Sequence, residues 1–318
     1  MAKKVHLILN SSELGAGTRG ASLGPSAIQV AAREIGSDFF GSKKITHILD
    51  RNQLLDTPTS YPFSKRIDGI VEVATDILNH VSQVFESNEF PLVLASDHSS
   101  AAFTIGGIRN AFPDKKLGVI WIDAHGDLHS PYTTPSGNIH GMPLAIALGL
   151  DNLEMKQNEL DEKGYAYWEK LKQLAGASSK FQPENLVFIG VRDTEKEEEF
   201  LMQKHGIRNF QVDEVRQKGV DQIVKETATY LSACDIIYVS FDVDSMDPDL
   251  TSYGTGTPVK NGLTIEEARS LLVQFTQDAK TVCLEVVEVN PCLDNKKNKM
   301  AEIAFDLIQS VAEVLEKK

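Results

Sequence analysis

The sequence predicts an α/β fold, a three-layer αβα arrangement with a mainly parallel central sheet. Two observations carry that expectation. Short apolar runs alternate with longer amphipathic stretches along the whole chain, the pattern of strands joined by crossover helices. The runs read as buried strands, and strands alternating with helices imply a sheet covered on both faces. A chain of 318 residues, 42% hydrophobic and 24% charged, lies close to the soluble globular average and can bury a large core. With no internal repeat, low-complexity tract or linker, residues 1–318 are read as one domain.

Taken in order, residues 5–9 form the first strand. A helix follows over 25–35, with Pro25 near its start, where a missing N–H is harmless. Ile67, Ile70, Val71, Ala74, Leu78, Val81 and Phe85 recur at helical spacing and define a second helix. Strands are expected at 91–95 and 117–122. The polar, Glu/Lys-rich stretch 151–172 reads as an excursion over the surface. Further strands fall at 186–189, 236–241 and 282–289, with helices at 265–275 and 300–315.

Composition excludes several functions. Lys and Arg number 32 against 45 Asp and Glu, a net charge of −13. Such a surface repels nucleic-acid backbones and anionic membranes, so neither is expected as a partner, whereas a cationic small molecule is favoured. Cys234, Cys283 and Cys292 contain no CxxC pair and suggest neither a disulfide framework nor a cysteine zinc site. The five-residue stretch Val5 to Leu9 after Lys3-Lys4 is too short for a signal-peptide core, and no run approaches a membrane span. A cytoplasmic protein is expected.

Four of the eight histidines, His98, His125, His129 and His140, cluster in one stretch, which suggests a metal site. Their placement against the strands is more telling. The strand at 91–95 runs into Ser96-Asp97-His98-Ser99, and 117–122 runs into Asp123-Ala124-His125-Gly126-Asp127. The strand at 236–241 runs into Asp242-Val243-Asp244, and the last one carries Glu288 before Asn290-Pro291. A single Asp after a strand is ordinarily a helix cap or turn residue. Four strand ends delivering acids and imidazoles to one edge of a parallel sheet point instead to a ligand crevice. Asp123, Asp127, Asp242 and Asp244 bring four negative charges, which two divalent cations balance, with His98 and His125 as neutral ligands. Imidazole with carboxylates suits Mn, Fe, Co or Zn.

Gly15-Ala16-Gly17-Thr18-Arg19-Gly20 satisfies the G-x-G-x-x-G string of a dinucleotide site. It neither follows the strand directly nor opens straight into the helix, so a flexible loop is the better reading.

The segments Ser96 to Ser99, Asp123 to Asp127, Ser240-Phe241-Asp242-Val243-Asp244-Ser245-Met246-Asp247-Pro248 and Glu288-Val289-Asn290-Pro291 resemble the signatures of ureohydrolases. That family includes arginases, agmatinases and formimidoylglutamases. The stretch Arg19 to Ser26 is similar to the family's N-terminal segment. Within the family, Ser136-Gly137-Asn138-Ile139-His140-Gly141 looks like the arginase loop whose Ser and Asn hold the substrate α-carboxylate. Gly256-Thr257-Pro258 also resembles arginases, with Thr257 near the guanidinium.

The resemblance implies an arginase-like fold and two Mn²⁺ ions, although the same ligands would accept Co²⁺ or Fe²⁺. His98, Asp123, Asp127 and Asp242 would hold one metal; His125, Asp123, Asp242 and Asp244 the other. A metal-bridging hydroxide would attack the guanidinium carbon of L-arginine, giving L-ornithine and urea. Asp127, His140 and Glu288 are the implied catalytic residues: Glu288 pairs with the guanidinium, Asp127 passes a proton to the leaving amine, and His140 shuttles protons. His129, Ser136, Asn138, Glu195, Thr257 and Glu288 are the implied substrate contacts. A homo-oligomer, trimer or hexamer, is implied as well.

This sequence departs from the arginase pattern at Ala95-Ser96, where Gly-Gly is usual, and at His129 and Glu195, where Asn and Asp are usual. The last two bear on substrate choice, so agmatine, guanidinobutyrate and formimidoylglutamate stay open as alternatives. A metallophosphoesterase would need GDxxD and GNHD/E segments, and neither occurs. A non-catalytic relative that binds metal or arginine is the remaining alternative.

Overall fold

The computed structural model describes residues 3–176 and 179–317. Eight strands, β1 (Val5–Asn10), β2 (Lys44–Ile48), β3 (Phe90–Ala95), β4 (Leu117–Ile122), β5 (Leu186–Ile189), β6 (Arg208–Phe210), β7 (Ile236–Asp242) and β8 (Thr281–Val287), form one sheet. Its order is β2-β1-β3-β8-β7-β4-β5-β6, and every pairing is parallel. Ten α-helices connect the strands among the described residues: α1 (Gly24–Glu34), α2 (Ile67–Glu86), α3 (Ser100–Ala111), α4 (Pro143–Leu148), α5 (Glu162–Gln173), α6 (Lys196–His205), α7 (Val212–Lys218), α8 (Val220–Tyr230), α9 (Ile265–Gln277) and α10 (Lys299–Glu316).

Strand periodicity divides the interior into two cores. Leu7 and Leu9 of β1 face one, packed with Ile28 of α1, Leu272 of α9 and Phe305 of α10. Ile8 faces the other, with Ile70 and Ala74 of α2 and Phe103 of α3. Because both faces are covered, β3, β4 and β7 are buried at every position, which is why they read as unbroken apolar runs. Each fully buried aliphatic side chain contributes about 1.5–3 kcal/mol. Helices α2 and α3 approach closely because Gly107 has no side chain; a Cβ there would lie 2.6 Å from Val81 Cβ.

Several elements depart from the expectations. The edge strands β2 and β6 carry no strong apolar signal, being half-exposed or only three residues long. The last strand ends at Val287, before Glu288, and not at 289. Residues 151–172 are not simply a surface excursion. Asp161 caps α5 by accepting from the Gly164 amide at 2.6 Å, and Trp168 and Leu171 on its inner face are fully buried. The polar majority of that helix concealed a narrow apolar stripe. No helix among the described residues is long and apolar enough to cross a membrane.

The order of strands positions the site. The late strands β7 and β8 insert between β3 and β4, so β3-β8-β7-β4 form the middle of the sheet. Their carboxyl ends are the four segments rich in acid and histidine.

Candidate metal centre and substrate pocket

His98 leaves β3 with its ring almost parallel to Trp121 of β4, the centroids 4.1 Å apart and the planes at 8°. Its Nε2 lies 2.7 Å from Ser240 Oγ on β7. With that nitrogen donating to the hydroxyl, Nδ1 carries the lone pair. Nδ1 is 3.0 Å from Asp123 Oδ2, 3.0 Å from Asp127 Oδ2 and 3.3 Å from Asp242 Oδ2. It is buried and crowded by three oxygens, yet has no aligned hydrogen-bond partner. Donor atoms sit this way when they face a shared cation rather than each other. Trp121 Nε1 donates to Asp123 Oδ2 at 2.9 Å, fixing that carboxylate.

A second group adjoins the first. His125 Nδ1 lies 3.1 Å from Asp244 Oδ2 and 3.5 Å from Asp123 Oδ1. The His125 amide donates to Asp123 Oδ1 at 2.8 Å and the Asp244 amide to Asp242 Oδ1 at 2.8 Å. Thr257 Oγ1 donates to Asp244 Oδ2 at 3.0 Å. His98-Asp123-Asp127 and Asp123-His125-Asp244 each present three atoms able to hold one metal ion, with Asp123 common to both. Asp242 joins the first group through its contact with His98.

The electrostatics fit cations at this place. All four aspartates are buried. Burial and the neighbouring Asp123 push Asp127 up to about 6, and burial with Asp244 and Asp123 lifts Asp242 well above the carboxylate range. Burial would raise Asp123 too, but the His125 and His98 rings beside it outweigh burial and hold that carboxyl down. Asp127, Asp242 and Asp244, crowded beside the ionised Asp123, resist ionisation; two divalent ions would neutralise the set. Asp127 and Glu288 also hold the left-handed backbone conformation, at φ 51° and 68°. That is uncommon outside glycine and concentrated at functional sites.

Above the metal ligands lies a cavity of about 170 Å³, lined by His98, His125, Asp127, His129, Thr134, Ser136, His140, Glu195, Glu198, Asp242, Thr257 and Glu288, among others. Glu288 is buried, and its Oε1 accepts from the His98 amide at 2.9 Å and faces His140 Nδ1 at 3.1 Å. Elsewhere in the lining His129 Nε2 meets Glu195 Oε2 at 3.1 Å. Ser136 lines the cavity, but Asn138 does not. The Asn138 amide donates to Ser136 Oγ at 3.2 Å, and its side chain points at Gly17, where a Cβ would lie 2.8 Å from Nδ2. Gly137 makes this loop possible: it has φ 75°, and a Cβ there would lie 1.9 Å from Pro62 O.

The glycine-rich loop neither follows β1 directly nor opens straight into α1. Gly15 accepts from the His140 amide at 3.1 Å and donates to Asp97 Oδ2 at 3.1 Å, so the loop packs onto the pocket rim. Sequence reasoning missed Glu198. Its Oε1 accepts from the Leu128 amide and its Oε2 from the Glu195 amide, each at 3.1 Å, and burial raises its pKa to about 8. The three-residue step from the helix N-cap Glu195 was the available signal. Ser240 and Trp121, which orient His98 and Asp123, looked like ordinary strand residues.

Comparison with known proteins agrees with this site. Residues 3–313 match the model of the arginase family. Arginase from Bacillus subtilis (strain 168) is 34% identical and arginase from Brevibacillus brevis 36%, with 98% of each chain covered in both cases. Among solved structures, Bacillus caldovelox arginase superposes with a TM-score of 0.81 at 33% identity, covering 97% of this chain and 98% of that one. Entamoeba histolytica arginase in complex with L-ornithine gives 0.82 at 25% identity, covering 98% and 99%. The whole-chain match and the donor groups at the four central strand ends lead to one conclusion: the chain belongs to the arginase family and is a hydrolase of the ureohydrolase type.

Proposed function

We propose that the protein hydrolyses the guanidinium group of L-arginine to L-ornithine and urea, using two Mn²⁺ ions. The observation that carries the reading is the pair of donor groups sharing Asp123 beside a pocket lined by the buried carboxylate of Glu288. His98, Asp123, Asp127 and Asp242 would hold one ion, and His125, Asp123, Asp242 and Asp244 the other. When bound, such a pair would supply hydroxide at neutral pH by lowering the pKa of bound water to about 7.

The chain's own residues do the rest. Glu288 accepts hydrogen bonds from the guanidinium and fixes the carbon against the acidic floor. Thr257, 3.0 Å from Asp244, closes the guanidinium end. Asp127 takes a proton and delivers it to the leaving amine, and His140, on Glu288 at 3.1 Å, exchanges protons with solvent. His129, Ser136 and Glu195 form the end that receives the amino-acid group. Glu195 meets the α-amino group and Ser136 the α-carboxylate, while Asn138 supports Ser136 through its backbone amide. The net-acidic chain acts as a cytoplasmic homo-oligomer, trimer or hexamer, on the strength of the family likeness.

The test is urea release after Mn²⁺ loading, with L-arginine, agmatine, guanidinobutyrate and formimidoylglutamate (the last followed by formamide) assayed in parallel. Turnover of arginine far above the others is expected. Preference for agmatine would refute the assignment of Ser136.

A further inference from the structure

A second cavity, of about 420 Å³, lies between α8 and α9. It reaches Ile237 at the start of β7 and Thr281 at the start of β8, the ends of those strands far from the metal ligands. The sequence of α8 explains the space. Val224, Thr227, Ala228 and Leu231 recur at helical spacing and line the cavity, but the middle two are small. Larger side chains there would fill the gap between the helices. Ile120, Ile237 and Phe275, all buried, add to an apolar lining.

Two polar groups in this lining lack the partners their chemistry calls for. Thr227 is fully buried, and its Oγ1 has no hydrogen-bond partner among the described residues. A helical threonine ordinarily turns its hydroxyl back to the carbonyl four residues earlier. Thr229 on the same helix does so, donating to Lys225 O at 2.8 Å; Thr227 does not. A buried hydroxyl left unpaired is costly, and a polar ligand atom would pair it. The second group is the half-buried ammonium of Lys280. Its Nζ donates to Ser232 O at 2.9 Å and makes no ion pair among the described residues. The nearby Asp278 instead accepts from the Lys280 amide through Oδ1 at 2.9 Å. The ammonium therefore keeps donors for an anion.

We propose that this cavity binds a small organic acid whose apolar body carries a second polar group. The carboxylate pairs with Lys280, the body lies among Ile120, Leu231, Ile237 and Phe275, and the second polar group meets Thr227 Oγ1. A mostly apolar pocket of this volume with a few placed polar groups suits a small molecule of that kind. The site uses no residue of the metal centre and does not rest on the arginine reading.

The test is calorimetric titration of the full-length, Mn²⁺-loaded protein with 3-(4-hydroxyphenyl)propionate and, in parallel, 3-phenylpropionate. One acid per chain is expected, with the hydroxylated one bound about fivefold more tightly. Thr227→Val, which keeps the shape and removes the hydroxyl, should erase that preference. Lys280→Gln should weaken both acids about tenfold or more, and Ala228→Trp, which fills the cavity from an exposed position, should abolish binding. Unchanged melting temperatures show that the variants fold. No binding by the parent, or binding untouched by Ala228→Trp, would overturn the proposal, the latter by seating the acid elsewhere, the metal centre included. A preference that survives Thr227→Val would overturn it as well. If a second copy of the chain covers α8 and α9 instead, no acid binds and Ala228→Trp dissociates the oligomer, which also overturns it. Acid binding in a protein inactive on arginine would sink the proposed reaction and leave this site standing.

Discussion

Replacing Asp127 by Asn separates the charge of this carboxylate from its shape. Asn is isosteric and tolerates the left-handed conformation at φ 51°, so the backbone stays in place. In the metal-loaded protein the change removes one of three carboxylate oxygens that surround His98 Nδ1 within 3.3 Å. At an effective dielectric near 20, one unit charge about 4 Å from another is worth about 4 kcal/mol, so one metal ion should bind about 10³-fold more weakly. In the metal-free protein the sign reverses. Burial and Asp123 raise the Asp127 carboxyl from 3.8 to about 6, so the folded state favours its neutral form and the wild type loses stability as pH rises from about 4 to 6. At pH 7 the ionised group costs on the order of 3 kcal/mol, which Asn removes. Elemental analysis after dialysis and urea release should therefore show one metal ion lost with most of the turnover. Denaturation in a chelator should show a variant more stable than the wild type. Two retained ions with near-normal turnover would refute the ligand assignment, and a less stable chelated variant would refute the electrostatic account.

Other substitutions probe separate parts of the site and fold. Glu288→Gln retains an acceptor for the His98 amide but loses the charge facing the guanidinium; metal content should hold while kcat/KM for arginine falls by about 2–5 kcal/mol, measured by urea release. His129→Asn should leave Mn²⁺ at two per chain and change KM for arginine more than kcat. Manganese loss would place His129 in the binuclear shell. Gly137→Ala forces a Cβ to 1.9 Å from Pro62 O and should displace the loop bearing Ser136 and Asn138, raising KM at least tenfold with both metals kept. Trp168→Ala empties a fully buried position in α5 and should cost about 3–5 kcal/mol in urea denaturation; a loss below about 1 kcal/mol would restore the reading of this segment as a surface excursion.

The sequence by itself determined the α/β class, because strands buried on both faces must be apolar throughout, and that pattern survives without any knowledge of contacts. It also placed His98, Asp123, His125, Asp127, Asp242, Asp244 and Glu288 in one crevice, because every strand of a parallel sheet delivers its carboxyl end to the same edge. The third layer of information came only from tertiary structure. The insertion of β7 and β8 between β3 and β4 decided which carboxylates meet, and no local pattern encodes strand order. The same holds for α5, whose buried apolar side chains, Trp168 and Leu171, are outnumbered by its charges. Glu198 in sequence is one glutamate in the run Glu197-Glu198-Glu199. Glu197 and Glu198 are both buried, but only Glu198 lines the pocket beside His129, because which of like residues reaches the pocket depends on the orientation of α6 and not on its composition.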